Sequence, residues 1–129
     1  MAVSNLLTTL IERLLDLTTE GRIDWQETAS ENDFLANVSQ YVVTISRTDE
    51  GTGEFPTTHY YSIRVADREG TLVDSASDAD LDDRPRPGTS RPPKETLKFL
   101  FDAARRKALN VDKALSELIS SLDSIGRAK

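Results

Sequence analysis

The sequence has no cysteine and only one histidine among its 129 residues. The absence of cysteine excludes a disulfide framework, a thiol nucleophile and cysteine-based zinc or iron–sulfur sites. The one histidine, His59, excludes a three-histidine metal site and leaves little for histidine-based catalysis. We therefore expect no catalytic residues, no bound metal and no cofactor.

Long apolar runs are also missing. A membrane-spanning helix needs about 20 consecutive apolar residues, and Glu12 and Arg13 interrupt the apolar segment near the N-terminus. The same segment lacks the positively charged start of a secretory signal. We expect no membrane partner and a cytoplasmic location, which the absence of cysteine fits.

Length and composition predict a single α+β domain over residues 1–129 with a modest core, since apolar residues make up 37% of the chain. Residues 4–19 have helical periodicity, with Ser4 placed to cap the helix and Gly21 to end it. The apolar stripe of this helix is wide. It predicts either deep burial or a self-association surface formed by Leu7, Ile11 and Leu14.

Alternating apolar residues predict an antiparallel meander of four or five strands between residues 22 and 77. A two-residue turn at Ser39 and Gln40 pairs Val38 with Tyr41, which puts both apolar sets on one face. A four-residue turn ending at Gly70 pairs Val65 with Leu72 and turns Leu72 inward. The opposite face is rich in Thr, Ser and Tyr, so we expect only one face to be covered.

Residues 77–93 are rich in acids and prolines, and we expect a flexible connection there. Alternating acids such as Asp78 and Asp80 suggest a calcium loop, but the pattern fails. The sixth position, which should be Gly, is Asp83, and the twelfth, which should be Glu, is Thr89. The acids therefore indicate a solvated loop.

Two helices are predicted after this connection. Leu97, Leu100, Phe101, Ala104 and Ala108 have helical spacing, and so do Val111, Ala114, Leu115, Leu118, Ile119, Leu122 and Ile125. Asn110 separates the two stripes, and Asp112 is placed to cap the second helix. We expect both helices to pack on the apolar sheet face beside the first helix.

Both ends of the chain resemble a group of small bacterial helix–sheet–helix proteins. At the first end the resemblance lies in residues 14–18 and in Gly-Arg-Ile-Asp-Trp at residues 21–25. At the other end it lies in Ala-Ala-Arg-Arg-Lys-Ala-Leu-Asn-Val-Asp-Lys-Ala-Leu at residues 103–115. The group has no assigned activity, so the resemblance implies the fold and transfers no functional residue.

Charge is unevenly distributed along the chain, whose net charge is −6. Residues 1–83 contain 17 acidic and 5 basic side chains, a net charge of −12. Residues 84–129 contain 11 basic and 5 acidic side chains, a net charge of +6. Such asymmetry is typical of a surface for an acidic protein or a nucleic acid, although the two parts could also neutralise each other within one fold. The candidate partner surface within residues 84–107 comprises Arg84, Arg86, Arg91, Lys94, Lys98, Arg105 and Arg106.

These observations favour a non-enzymatic protein-interaction or regulatory domain, whose partner is another protein or a second copy of the chain. A nucleic-acid-associated protein that uses residues 84–107 is one alternative. An enzyme with an unrecognised carboxylate site is another.

Overall fold

The computed structural model describes residues 5–50, 58–85, 88 and 91–127. The elements follow in the order α1 (Asn5–Thr19), β1 (Gln26–Glu27), β2 (Asp33–Val38), β3 (Tyr41–Glu50), β4 (Thr58–Asp67), β5 (Leu72–Ser77), a 3₁₀ turn (Asp78–Asp80), α2 (Pro93–Ala108) and α3 (Val111–Arg127). The strands form one antiparallel sheet in sequence order. The predicted α+β class, with one helix, a meander and two further helices, is confirmed.

The core lies between one face of the sheet and the helices α1 and α2, which pack against each other. Neighbouring strands are about 4.8 Å apart, so the axes of the outer strands are about 19 Å apart. Two helices packed side by side have axes about 8–10 Å apart and cover most of that width. The largest fully buried side chains are Phe34, Phe101, Ile11, Ile45, Ile63, Leu97 and Leu100.

Helix α1 contributes Leu7, Ile11, Leu14 and Leu15 to this core, whereas Leu6 is exposed. Leu7, Ile11 and Leu14 are at most 4% exposed. The self-association surface predicted at these three residues is therefore wrong, because intramolecular packing already covers them. Trp25 is also buried, and its indole Nε1–H donates a hydrogen bond of 2.9 Å to Thr18 Oγ1 on α1.

The first hairpin has the predicted register. Val38 pairs with Tyr41 across a two-residue turn, and Ser39 adopts a left-handed conformation with φ 58°. Phe34, Ala36, Val43 and Ile45 then share the buried face, as their alternation predicts. Tyr41 lies at the end of this face and is exposed.

The hairpin between β4 and β5 differs from the prediction. Asp67 N–H donates to Thr71 O at 2.9 Å, so the turn has three residues rather than four, with Gly70 at φ 91°. Ala66 therefore pairs with Leu72, and a bulge follows. Leu72 is consequently exposed rather than inward.

Helix α3 is placed differently from the prediction as well. It contacts α2, but it buries none of its described side chains and does not lie on the sheet. The expectation that both C-terminal helices pack on the sheet holds for α2 alone, which contacts β1, β2, β3 and β4. Within the described ranges, no helix combines the length and the apolarity needed to cross a bilayer.

Part of the connection over residues 77–93 is packed against the fold. Asp78 and Leu81 are both 8% exposed, and Asp82 O accepts a hydrogen bond of 3.1 Å from Lys94 N–H. Residues 86–87 and 89–90, which include Arg86, lie outside the described residues. The first residues of this segment therefore pack against the rest of the fold, and the flexibility of the connection as a whole stays a prediction.

Candidate functional site

The surface of α3 carries an uncovered apolar stripe. Five large side chains are between 49% and 69% exposed, namely Leu115, Leu118, Ile119, Leu122 and Ile125. Leu115, Leu118, Leu122 and Ile125 are separated by three, four and three residues, which is the spacing of the a and d positions of a coiled coil. Monomeric proteins rarely expose such a continuous apolar surface unless it binds something.

The start of α3 is fixed to the end of α2. Asn110 adopts φ 51°, and its carbonyl oxygen accepts a hydrogen bond of 3.0 Å from Ala114 N–H. Arg106 Nη2 on α2 donates to Asp112 Oδ1 at 2.7 Å. Asn110 is the predicted break between the helices, whereas Asp112 lies inside α3 and pairs with Arg106 instead of capping the helix. These contacts orient α3 relative to the core.

The other side of α3 is polar. Its charged side chains are Asp112, Lys113, Glu117, Asp123 and Arg127, of both signs, and Lys113 and Glu117 approach to 4.0 Å along the helix. An amphipathic helix for an anionic lipid surface carries an excess of Lys and Arg on its polar face, and α3 does not. The mixture of acidic and basic side chains on the polar face of α3 is therefore more typical of a helix that packs against protein than of one that binds an anionic lipid surface.

A groove about 380 Å³ in volume lies between β4 and the first turns of α2. His59, at one end, pairs with Asp49 on β3, whose carboxylate also lies 3.1 Å from Arg47 Nε. The Arg47 contact is an ion pair without hydrogen-bond alignment. The hydrogen bond with His59 lowers the pKa of Asp49, with Arg47 contributing to the same shift.

The remaining described side chains of this groove have mixed chemistry. They are Tyr61, Asp78, Asp83, Pro92, Lys94, Glu95 and Lys98. Asp78 already has a hydrogen-bond partner, since its Oδ2 accepts a bond of 3.3 Å from the backbone N–H of Tyr61. Burial raises the pKa of the Tyr61 hydroxyl. No Ser, Thr or Cys is among the described lining residues, so the His59–Asp49 pair lacks the serine, threonine or cysteine nucleophile of a catalytic triad here.

The acids of the connection do not converge. Asp80 Oδ2 accepts hydrogen bonds from the backbone N–H and the hydroxyl of Ser77, at 3.0 and 3.2 Å, whereas Asp78 turns toward β4. These bonds from Ser77 lower the pKa of Asp80. Across the described ranges, no three acidic or histidine side chains come close enough together to hold a metal ion.

The predicted basic surface is exposed but divided. Arg84, Arg91, Lys94, Lys98, Arg105 and Arg106 all face solvent. Lys94 and Lys98 line the groove beside His59, whereas Arg105 lines a separate groove near Arg47. The ion pairs between described residues do not connect this segment with the acidic first part of the chain.

Acidic side chains also separate the basic ones. Arg91 and Arg106 line a groove between α1 and α2 together with Asp16, Glu20 and Asp102, and Arg91 lies over the ring of Phe99 at 4.5 Å. A phosphate backbone is normally bound by a continuous basic stripe. The divided arrangement is therefore less suited to a nucleic acid than the sequence count indicates.

The residues of the α3 stripe are the part of the candidate site that the sequence prediction assigned wrongly. Their periodicity is clear in the sequence and predicts packing on the sheet, whereas the structure leaves these side chains exposed. The same spacing occurs in α1, where Leu7, Ile11 and Leu14 are buried, so the sequence pattern alone does not distinguish an exposed seam from a face that packs in the core. No family model, curated protein or solved structure matches the chain.

Proposed function

We propose that the chain is a non-enzymatic protein-interaction domain whose binding surface is the apolar face of α3. The observation that carries this proposal is the exposure of Leu115, Leu118, Ile119, Leu122 and Ile125 on a helix that buries none of its described side chains. The core is complete without α3, so selection for folding alone does not account for this stripe. Covering it with a partner removes its contact with water.

Two other uses of the molecule are less well supported. A nucleic-acid-associated role would use the basic segment, whose described members are split between separate grooves and interleaved with acids. An enzymatic role would use the groove beside His59, whose described lining contains no Ser, Thr or Cys. The apolar face of α3, by contrast, is continuous and carries one type of chemistry.

The proposal is tested with the double variant Leu118→Glu/Leu122→Glu in the full chain. Both side chains are more than half exposed, so the substitutions should leave the core and the unfolding midpoint unchanged. The matched control, Ser116→Glu/Ser120→Glu, adds the same charge to the polar side of the same helix. The three tagged proteins are expressed in the source cells, and retained proteins, including untagged copies of the chain, are quantified.

We expect the wild type and the control variant to retain the same partners, and Leu118→Glu/Leu122→Glu to lose them at least tenfold. Retention by all three proteins alike would place the interaction surface elsewhere. Retention of nothing, not even a second copy, would contradict the proposed function itself.

A further inference from the structure

We infer that the partner covering α3 is the α3 helix of a second copy of this chain, packed antiparallel. This inference rests on the proposed function, because it names the occupant of the same apolar face. It commits to a symmetric two-helix seam formed by Leu115, Leu118, Leu122 and Ile125 of each copy.

The spacing of these residues is self-complementary in the antiparallel direction. In an antiparallel coiled coil, each a position of one helix packs in a layer with a d position of the other. Leu115 then packs with Ile125 of the other copy, and Leu118 packs with Leu122. The two-fold axis repeats both pairings with the copies exchanged, which gives four apolar layers. Every residue of the seam then has a partner, as a two-fold symmetric interface requires.

The flanks of the seam fit the same arrangement. Ile119 lies beside the seam on one side, where the two-fold axis brings it next to Ile119 of the other copy. Ala114 and Ser121 lie on the other side, and both are small enough to let the helices approach closely. Most positions flanking the seam are uncharged, so a like-charge contact does not oppose the pairing.

The area available also fits a second copy. The exposed fractions of the five apolar residues correspond to about 500 Å² of surface on each chain, which is within the range of the largest apolar patch on a monomer, a patch that is often functional. Two such patches, if fully covered, bury about 1,000 Å² in total, which is about the minimum for a specific interface and is typical of weak ones. A dimer of modest affinity that dissociates on dilution is therefore expected.

Charge at the end of α2 favours the antiparallel direction. Arg105, Arg106 and Lys107 lie in the last turn of α2, immediately before α3 begins. Parallel pairing would bring these cations of both copies to the same end of the seam, together with both globular bodies. Antiparallel pairing puts them at opposite ends and also opposes the two helix dipoles favourably.

The absence of native cysteine allows single-cysteine crosslinking in the full chain. Ser121 lies near the two-fold axis of the antiparallel pair, so Ser121→Cys should form an intermolecular disulfide under mild oxidation. Leu115→Cys tests the parallel direction, because residue 115 lies next to residue 115 of the other copy only in a parallel pair. Ser116→Cys, on the polar side of α3, controls for random collision.

We expect crosslinked dimer from Ser121→Cys at a yield at least tenfold above that from Leu115→Cys and Ser116→Cys. A high yield from Leu115→Cys and a low one from Ser121→Cys would overturn the antiparallel direction. Low yields from both would overturn the second copy as occupant. In that case, α3-dependent retention of another protein from cells would leave the proposed function standing, and its absence would remove both.

Discussion

The hydrogen bond between Trp25 and Thr18 is a buried side-chain contact that joins the segment after α1 to α1 itself. Both residues are buried, so neither polar group has ready access to water if the other is removed. Trp25 is 2% exposed and belongs to the core. The polar contact within that core makes the position sensitive to substitution.

Thr18→Val should therefore destabilise the protein by about 1–3 kcal/mol, because it leaves the indole N–H of Trp25 buried without an acceptor. Urea unfolding followed by the fluorescence of Trp25, the single tryptophan, measures this loss. Thr19→Val is the control, since Thr19 is exposed and its hydroxyl bonds only to Leu15 O of the same helix. Equal losses in the two variants would contradict the importance of the buried bond.

Asp49 and Asp80 both have a pKa below the ordinary value of 3.8 because of their hydrogen bonds in the fold. The folded protein therefore favours their ionised forms, and this contribution to stability is complete above pH 3.8. It should be lost as the pH falls through the lowered pKa values. Unfolding midpoints between pH 5 and about pH 2 should decline less steeply in Asp80→Asn than in the wild type. An unchanged slope in Asp80→Asn would refute the role of Asp80.

Among the elements, the hairpins show what local sequence determines. The apolar alternation of β2 and β3 fixes their register, because a shift of one residue would turn Phe34 and Ile45 to solvent. The loop before β5 contains Gly70 but allows three or four residues, and the side chains of β5 are too polar to decide between them. The register of Leu72 therefore could not be predicted.

The position of α3 could not be predicted for a different reason. The sequence shows the length and the apolar stripe of α3, and both agree with the structure. Whether the stripe is buried depends on the room left on the sheet after α1 and α2 have packed there, which is a property of the tertiary structure. The candidate site was thus visible as a pattern but not as an exposed surface.

The junction between α2 and α3 depends on the left-handed conformation of Asn110. Asn110→Val should destabilise the junction by about 1–2 kcal/mol, because a β-branched side chain is strained at φ 51°. Asn110→Gly, which adopts this conformation freely, should be close to neutral. Hydrogen exchange of the amides at the start of α3 measures the effect. Equal exchange in the two variants would show that the left-handed turn does not hold α3 in place.

At the scale of the whole molecule, only two of the three helices bury their apolar stripes in the core. Helix α2 contacts the sheet and α1 packs against α2, whereas the opposite face of the sheet carries polar side chains such as Thr44, Ser46 and Ser62. Helix α3 therefore projects its apolar stripe away from the core. The net charge is −12 over residues 1–83 and +6 over residues 84–129. The ion pairs between described residues each lie within one of these two parts and do not join them.

Light scattering coupled to size exclusion, performed over a range of protein concentrations, tests the central claim that α3 is an interaction surface for a second copy. The wild type and Ser116→Glu/Ser120→Glu should approach twice the 14.3 kDa of one chain as the concentration rises. Leu118→Glu/Leu122→Glu should remain at the mass of one chain. A wild type that stays at 14.3 kDa at every concentration, or a dimer that survives Leu118→Glu/Leu122→Glu, would contradict the account.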